Sequence, residues 1–413
     1  MHDVLPDETP CWRAVENRII DILQRYGYCE IRLPLVEKTE LFRRSIGEAT
    51  DIVSKEMYSF IDQGGDDLTL RPEGTAGCIR AVLQNGLLQQ GALRLWYGGP
   101  MFRREQPQKG RTRQFHQIGV EAIGWEGPDI DAELIMLSAR IWRDLGVTGL
   151  QLQINTLGTP ASRQRYREAL VSYFTANQAR LDADSRDRLH KNPLRILDSK
   201  NPAVQELINN APGIDEFLDE ASRTHFSRLR NLLTGAAIDF TVNHRLVRGL
   251  DYYDKTVFEW ITDRLGAQGA VCAGGRYDEL VEQFGGKPTP ATGFALGLER
   301  LVELIARTGG QAAADHPDVF FITAGERAAA AGFRLAERIR DHMPIRVQTH
   351  CGGGSFKSQF KKADKSGARL ALILGDAEAE KETIGVKPLR DNRPQTEVRW
   401  DELLIALKRE FDL

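Results

Sequence analysis

The sequence predicts an α+β protein: a domain built on an antiparallel sheet with helices, interrupted by a helical insertion, then a C-terminal α/β domain. Three observations carry this expectation. Residues 102–121 read FRREQPQKGRTRQFHQIGVE, two strand-like runs flanking a polar, proline- and glycine-containing loop, which is hairpin punctuation. Between about 158 and 238 the strand pattern vanishes, and charged amphipathic helices are broken at Asn192-Pro193 and Asn201-Pro202. From 319 onward strand and helix patterns alternate, as in an α/β unit with a parallel core. The sequence thus divides into 1–310, with its insertion at about 158–238, and 319–413, joined by the stretch TGGQAAADHPD.

Each element has a local reason. Thr9 is expected to cap a first helix with Pro10 at its first position, Trp12, Val15, Ile19, Ile22, Leu23 and Tyr26 at helical spacing, and Gly27 as its stop. Cys29 to Leu33 is strand-like and ends at Pro34; residues 68–73 look like a short strand leading into a helix from Gly74. After the insertion, strands are expected at Ile238–Asn243, Val257–Thr262 and Gly269–Ala273, and a helix from Gly297 to Arg307. In the last third come VFFITAG, a helix from Glu326 to His342, IRVQTH, a basic helix around Phe356–Lys365 and LALILG.

Composition excludes several classes. With 41% hydrophobic and 27% charged residues, the 413-residue chain is that of an ordinary soluble protein. No stretch approaches the ~20 apolar residues of a membrane span, and MHDVLPDE lacks the basic start and apolar core of a signal peptide. The five cysteines are scattered and odd in number, which fits a reducing cytoplasm rather than a disulfide or zinc framework. The eight histidines show no metal-ligand spacing, so no metal site is expected on the protein. A net charge of -3 gives no global sign of nucleic acid; such a partner would have to meet local patches.

The chemistry-bearing segments are few. After the hairpin loop, Arg111, Arg113, Phe115, Gln117, Gly119 and Glu121 share one strand face, while Ile118, Val120 and Ala122 on the other are apolar. Guanidiniums suit phosphate oxygens and a Phe ring suits a flat base, so a nucleotide site is the working expectation. A charged outer sheet face is the plain alternative. In RPEGT (71–75), Glu73 and Thr75 would hold an ammonium or simply serve a helix N-terminus. LVRGLDYY (246–253) sets Arg248 in an apolar context, where it needs an acid partner or an anionic ligand. AGGRYD (273–278) brings a glycine pair where backbone approaches something closely, or merely turns. GFALGLER (293–300) runs from strand into helix with Arg300 inside the helix. The glycines of GGGSFKS (352–358) are no phosphate loop, because Phe356 stands where that motif requires glycine before the lysine.

Taken jointly these segments resemble the class II aminoacyl-tRNA synthetases: the first helix and the strand ending at Pro34 their dimer-interface motif, the FRRE–RQFHQ hairpin their second motif, and GFALGLER their third. LVRGLDYY and AGGRYD resemble the signatures of the histidine-specific members. The resemblance spans nearly the whole chain. It implies activation of L-histidine with ATP, with Mg²⁺ on the outer phosphates, followed by transfer to the 3′-terminal adenosine of tRNA(His). It carries Arg103 and Arg248 onto the α-phosphate. Phe115 and Arg300 come onto adenine, with Glu105, Arg111 and Arg113 along the nucleotide phosphates. Glu73, Thr75 and Gln117 are carried onto the α-amino group, and Glu121 with Tyr253, beside Tyr252, onto the imidazole. A site pairing both imidazole nitrogens would reject analogues by ~10⁴ or more, so no editing domain is expected. Residues 319–413 resemble an anticodon-binding domain, with Lys357, Lys361, Lys362, Lys365 and Arg369 as local positive charge; a homodimer is implied as well.

Two departures from the family pattern stand out. Several residues, including an Arg-Gly pair, usually precede MHDVLP, and Arg104 and Gln106 occupy places where a His and an Arg are common. The competing reading is a non-catalytic histidine-binding paralogue acting as a regulatory subunit in histidine biosynthesis. Such proteins generally lack the C-terminal domain and degrade the arginine motifs, both of which are present here. A class II enzyme for threonine, proline or glycine is the further alternative, against which Glu121, Arg248 and Tyr253 speak.

Overall fold

The computed structural model describes residues 2–47, 50–105, 112–197, 199, 201–265, 269–307 and 316–413. It divides into two compact units, Met1–Ala312 and Ala313–Leu413. The first unit carries β1 (Cys29–Glu30), β2 (Val36–Lys38), β3 (Tyr58–Ile61), β4 (Asp67–Leu70), β5 (Leu93–Phe102) and β6 (Gln114–Ile123). Beyond these lie β7 (Gln151–Thr156), β8 (Thr241–Val242), β9 (Asp254–Ile261), β10 (Ala270–Arg276) and β11 (Ala291–Gly297). Among the described residues, eight of them form one sheet in the order β1-β5-β6-β11-β10-β9-β7-β8. Its centre, β5 to β7, is antiparallel throughout, and a parallel pair closes each end. The strands β2, β4 and β3 make a small antiparallel sheet beside it.

Pleating decides what each face of the large sheet carries. On one face Trp96, Ile118, Val120, Phe258 and Leu296 are buried in a core with the helices Thr9–Arg25, Pro128–Asp144, Glu220–Gly235 and Leu298–Arg307. On the other face Leu95, Tyr97, Val257 and Tyr277 pack with the helix Thr75–Gln84 and the loop that holds Tyr252 and Tyr253. The helix-covered face gives the sheet its core; the second face is left for a site.

Several local expectations differ from the structure; the strand expected over Ile238–Asn243 is only Thr241–Val242, and that over 68–73 is Asp67–Leu70. Thr9 is the first residue of its helix rather than its cap: its hydroxyl donates to the Leu5 carbonyl at 2.8 Å, and Glu8 holds the cap position. The turn at residues 5–8 already supplies helix-type bonding, with the Thr9 N–H reaching Leu5 O at 3.0 Å, so no hydroxyl is needed there. The strand expected over Cys29–Leu33 is only Cys29–Glu30, with one further ladder bond from Ile31 N to Trp96 O at 2.8 Å.

Residues 160–235 hold the helices Pro160–Ala176, Ala183–Lys191, Pro202–Asn209 and Glu220–Gly235. Each begins at a polar cap, Thr159, Asp182, Asn201 or Asp219, whose side chain accepts a backbone N–H of the first turn. Tyr166, Leu170, Phe174, Leu189, Val204 and Leu207 give this layer a core of its own.

In the second unit β12 (Val319–Ala324), β13 (Val347–Thr349), β14 (Leu370–Gly375), β15 (Thr383–Pro388) and β16 (Thr396–Arg399) form a sheet ordered β13-β12-β14-β15-β16. The first three strands are parallel and the last two antiparallel. Its helices Glu326–His342 and Phe356–Lys365 lie where the apolar periodicity placed them, and the lysines of the second are exposed.

One buried ion pair braces the first unit. The Arg276 guanidinium, wholly buried, lies 3.0 Å from Asp131, and its other N–H groups donate to Trp125 O, Gly127 O and Asp278. Asp131 also accepts from the Thr256 hydroxyl and lies 2.8 Å from His225 Nε2. Burial would raise its pKa, but Arg276 and His225 hold it down to about 2. Asp131→Ala strands the Arg276 charge and is expected to cost about 3–5 kcal/mol in urea unfolding. A loss below about 1 kcal/mol, the range of exposed pairs, would deny the pair that bracing role.

Candidate active site

The open face of the large sheet carries a cavity with about 290 Å³ of space for the centres of water-sized molecules. Strands β6 and β11 supply its floor with Phe115, Gln117, Gly293 and Ala295; β9 and β10 add Glu259 and Cys272. Glu73 enters from the turn before the helix Thr75–Gln84 and Thr75 from its first position, Arg103 and Glu105 from just past the end of β5, and Arg300 from the helix after β11. Arg248, Tyr252 and Tyr253 close it from the loop after β8. Ten residues singled out in the sequence therefore line one cavity. Glu121 lies behind this wall, Arg113 is exposed with its Nε 3.4 Å from the Glu105 carbonyl, and Arg111 falls outside the described residues.

Three guanidiniums converge here, each positioned differently. Arg103 Nε donates to Pro72 O at 2.8 Å, and its Cζ stands 5.3 Å from the centroid of Phe115. Arg300 donates to the Ala270 carbonyl. Arg248 sits 5.7 Å over the Tyr253 ring and reaches Glu259 only at 3.4 Å, while its buried Nε has no hydrogen-bond partner among the described residues. A buried N–H donor left unpaired is costly and uncommon, so it marks a place for an anionic oxygen.

Of the two readings of RPEGT, the helix-cap one is what the hydrogen bonds of Glu73 show. Glu73 is buried, and its two oxygens accept the N–H groups of Thr75 and Ala76 at 2.6 and 2.9 Å. It caps the helix and still faces the cavity. Burial raises its pKa above the ordinary value.

Glu121 is 1% exposed and collects three hydroxyls: Thr75 and Tyr97, both at 2.8 Å, and Tyr277. Burial pushes its pKa up to about 8, even though the Tyr277, Thr75 and Tyr97 hydroxyls favour the charge. Tyr97 is absent from the sequence reading, and Tyr277 enters it only within AGGRYD, without a role. Their signal lies in small residues nearby. A Cβ at Gly119 would stand 2.2 Å from the Tyr97 ring, and one at Gly293 would stand 1.8 Å from Glu121 Oε2. Gly275 similarly admits the Tyr253 ring, whose centroid is 4.7 Å from that of Tyr252 and 6.2 Å from that of Tyr277. Glu299 is a further omission. Its carboxylate accepts the His116 backbone N–H at 2.9 and 3.0 Å, pinning β6 to the helix that bears Arg300.

Among the described residues no three His, Cys, Asp or Glu side chains gather as a metal site. The cavity does offer Glu105 and Glu259 as hard oxygen donors, of the kind that hold Mg²⁺ together with substrate phosphates. No helix among the described residues is long and apolar enough to cross a membrane.

Comparison with known proteins gives the family. A model of the histidyl-tRNA synthetase family matches residues 1–301, and one of the anticodon binding domain matches residues 318–410. The chain is 57% identical over 409 residues to the histidine–tRNA ligase of Dechloromonas aromatica, covering 98% of this chain and 95% of that protein. It is 56% identical over 408 residues to that of Aromatoleum aromaticum, covering 98% and 93%. The apo histidyl-tRNA synthetase of S. aureus superposes with a TM-score of 0.81 at 35% identity, covering 99% of this chain and 98% of that one. With a family model covering most of its length and relatives matched end to end, the chain belongs to the histidyl-tRNA synthetase family.

Proposed function

We propose that the cavity carries out both steps of histidine–tRNA ligation, with the residues above in the following roles. The activity itself follows from the family: histidine is activated with ATP as substrate and passed to tRNA, which sets aside the regulatory paralogue. In the first step a carboxylate oxygen of histidine attacks the α-phosphorus, an O–P bond forms, and pyrophosphate leaves with the electrons of the broken P–O bond. The nucleophile is already ionised, so no general base is needed. The barrier lies in bringing two anions together, and that calls for cations fixed where phosphoryl charge develops.

The observation that carries the reading is the buried, unpartnered Nε of Arg248 in a cavity that also holds Arg103 and Arg300. Arg103 and Arg248 take the α-phosphate oxygens. Phe115 and Arg300 hold adenine between them. Glu105, Arg111 and Arg113 serve the outer phosphates, where Mg²⁺ arrives as part of the Mg·ATP substrate. Glu73, Thr75 and Gln117 receive the α-ammonium; Glu121 and Tyr253, with Tyr252 beside them, meet the two imidazole nitrogens. In the second step the 3′-terminal adenosine hydroxyl attacks the carbonyl carbon of the adenylate and AMP leaves. The partner is tRNA(His), gripped at its anticodon end by 319–413, where the exposed Lys357, Lys361, Lys362, Lys365 and Arg369 supply phosphate contacts. The enzyme works as a cytoplasmic homodimer, a reading supported by the exposed apolar Leu35, Val36, Phe60 and Ile61 on and beside the small sheet.

ATP–pyrophosphate exchange with each of the twenty amino acids, before any tRNA is added, tests the reading. Exchange with histidine alone is expected. Exchange with another amino acid would keep the chemistry and overturn the pocket; no exchange despite histidine binding would return the regulatory paralogue.

A further inference from the structure

The loop that carries Arg248 and Tyr253 is tied to the sheet beneath it through Leu246 O and Glu259, and at its far end to the helical layer of residues 160–235. Asn192, in the break after the helix Ala183–Lys191, donates its side-chain N–H to Asp251 Oδ1 at 2.9 Å. Arg163, in the first turn of Pro160–Ala176, donates to the main-chain carbonyl of Tyr253. Val247 packs both in the helical layer's own core and in the core beneath the cavity. Asp251 is fixed from its other side as well. Its N–H reaches Ile46 O at 3.0 Å, and a Cβ at Gly47 would come within 2.5 Å of its carboxylate. Arg195 carries the seam onward to Asp51 at 3.0 Å, next to Ile52 of the cavity wall.

We propose that Asn192 and Arg163 are positioning residues for histidine activation: the helical layer, through Asp251 and the Tyr253 carbonyl, holds Arg248 and Tyr253 at their working places before any tRNA is bound. Neither residue lines the catalytic cavity. Their reach is through a short loop. From Arg248 to Tyr253 there are only six residues, pinned at Asp251 and at Tyr253 by one layer, so a shift of that layer moves the guanidinium and the tyrosine together. Displacement of a reacting group by about 1 Å can cost ~10²-fold in rate, so a strap that fixes Asp251 and Tyr253, five residues or fewer from Arg248, has kinetic weight. The inference rests on the functional reading above and adds to it a dependence of the first chemical step on residues of the helical layer.

The test is pyrophosphate exchange without tRNA on the full chain. Asn192→Asp sets a second carboxylate against Asp251; Arg163, Arg167 and Arg195 flank that position and temper the repulsion. The expected loss in the exchange kcat is therefore about tenfold, with the KM for ATP changed less than about twofold. Adding Asp251→Asn exchanges donor and acceptor across the same contact, and the double variant should recover to within about threefold of wild type. Arg163→Met, which cannot hold the Tyr253 carbonyl, should raise the KM for histidine several-fold. Exchange by Asn192→Asp within about twofold of wild type would overturn the proposal, as would a loss that Asp251→Asn fails to restore. Thermal melts of the same samples tell misfolding from misplacement, because the double variant must regain rate at an unchanged melting temperature. If wild type itself fails to exchange with histidine, the functional reading falls; if wild type exchanges and Asn192→Asp matches it, only the strap falls.

Discussion

Arg248→Ala is expected to slow histidyl-adenylate formation by about 10³-fold, the scale seen when a fixed donor to a developing anion is removed from a dry site. The reason is specific to where this arginine sits. It is buried, its ion pair with Glu259 is long at 3.4 Å, and its Nε points at no protein acceptor among the described residues. Burial works against its charge and Glu259, Tyr253 and Tyr252 outweigh it, but the unpaired Nε–H gains its acceptor only as the α-phosphate oxygens gain charge. That difference between ground and transition state is what raises kcat. Single-turnover formation of adenylate should show a fall in rate larger than any rise in the KM for ATP. Arg248→Lys should restore little, since a point-like ammonium on a flexible four-carbon stem cannot reproduce the planar fork of N–H donors. Far-UV dichroism and urea midpoints near wild type are expected, because Glu259 is part-exposed and can be solvated once its partner is gone. A single-turnover rate within about tenfold of wild type would remove Arg248 from the phosphate.

Much of this site was legible because strand geometry converts a sequence pattern directly into a shared face. Phe115 and Gln117 face the cavity because they are two apart on β6, while Ile118 and Val120 alternate into the core. The periodic elements of the second unit were legible for the same reason: Glu326–His342 and Phe356–Lys365 carry their apolar residues at helical spacing. What a sequence pattern does not encode is contact across the fold. Tyr97 and Tyr277 meet Glu121 across 24 and 156 residues, and Asp131 meets Arg276 across 145. No local period links such pairs; only the neighbouring glycines, which clear space for the rings and carboxylates, leave a trace. Thr9 fails for a related reason: a Thr-Pro pair signals a helix start, but the turn before it had already satisfied the cap. Glu73 shows the reverse. Its two readings were kept apart in sequence, and in space one carboxylate caps the helix and also faces the cavity.

Glu121 leads to the second large effect, and to a pH dependence of definite sign. In the ligand-free protein its pKa is raised to about 8, because the carboxyl is buried where water cannot stabilise the charge. The folded protein therefore holds a proton between about pH 4.5 and 8 that the unfolded chain releases, so this group's contribution to stability is full below about 4.5 and is lost as pH rises through 8. The anion accepts an imidazole N–H about twice as strongly as the neutral acid. Histidine binding should thus strengthen as pH rises towards 8, with the KM for histidine falling until Glu121 is ionised and levelling off above. The imidazole of the substrate adds its own limb near pH 6.5, where it becomes cationic. Glu121→Gln separates the two. It keeps the shape and the hydroxyl neighbours but cannot ionise, so the limb near 8 should disappear and the one near 6.5 remain. At pH 8 the variant should need ~10–100-fold more histidine, the loss of one charge-assisted hydrogen bond, with the KM for ATP nearly unchanged. A variant that retains the limb near 8 would assign that titration to another group. One whose histidine KM matches wild type would take Glu121 out of amino-acid recognition and leave it as the anchor for the Thr75, Tyr97 and Tyr277 hydroxyls.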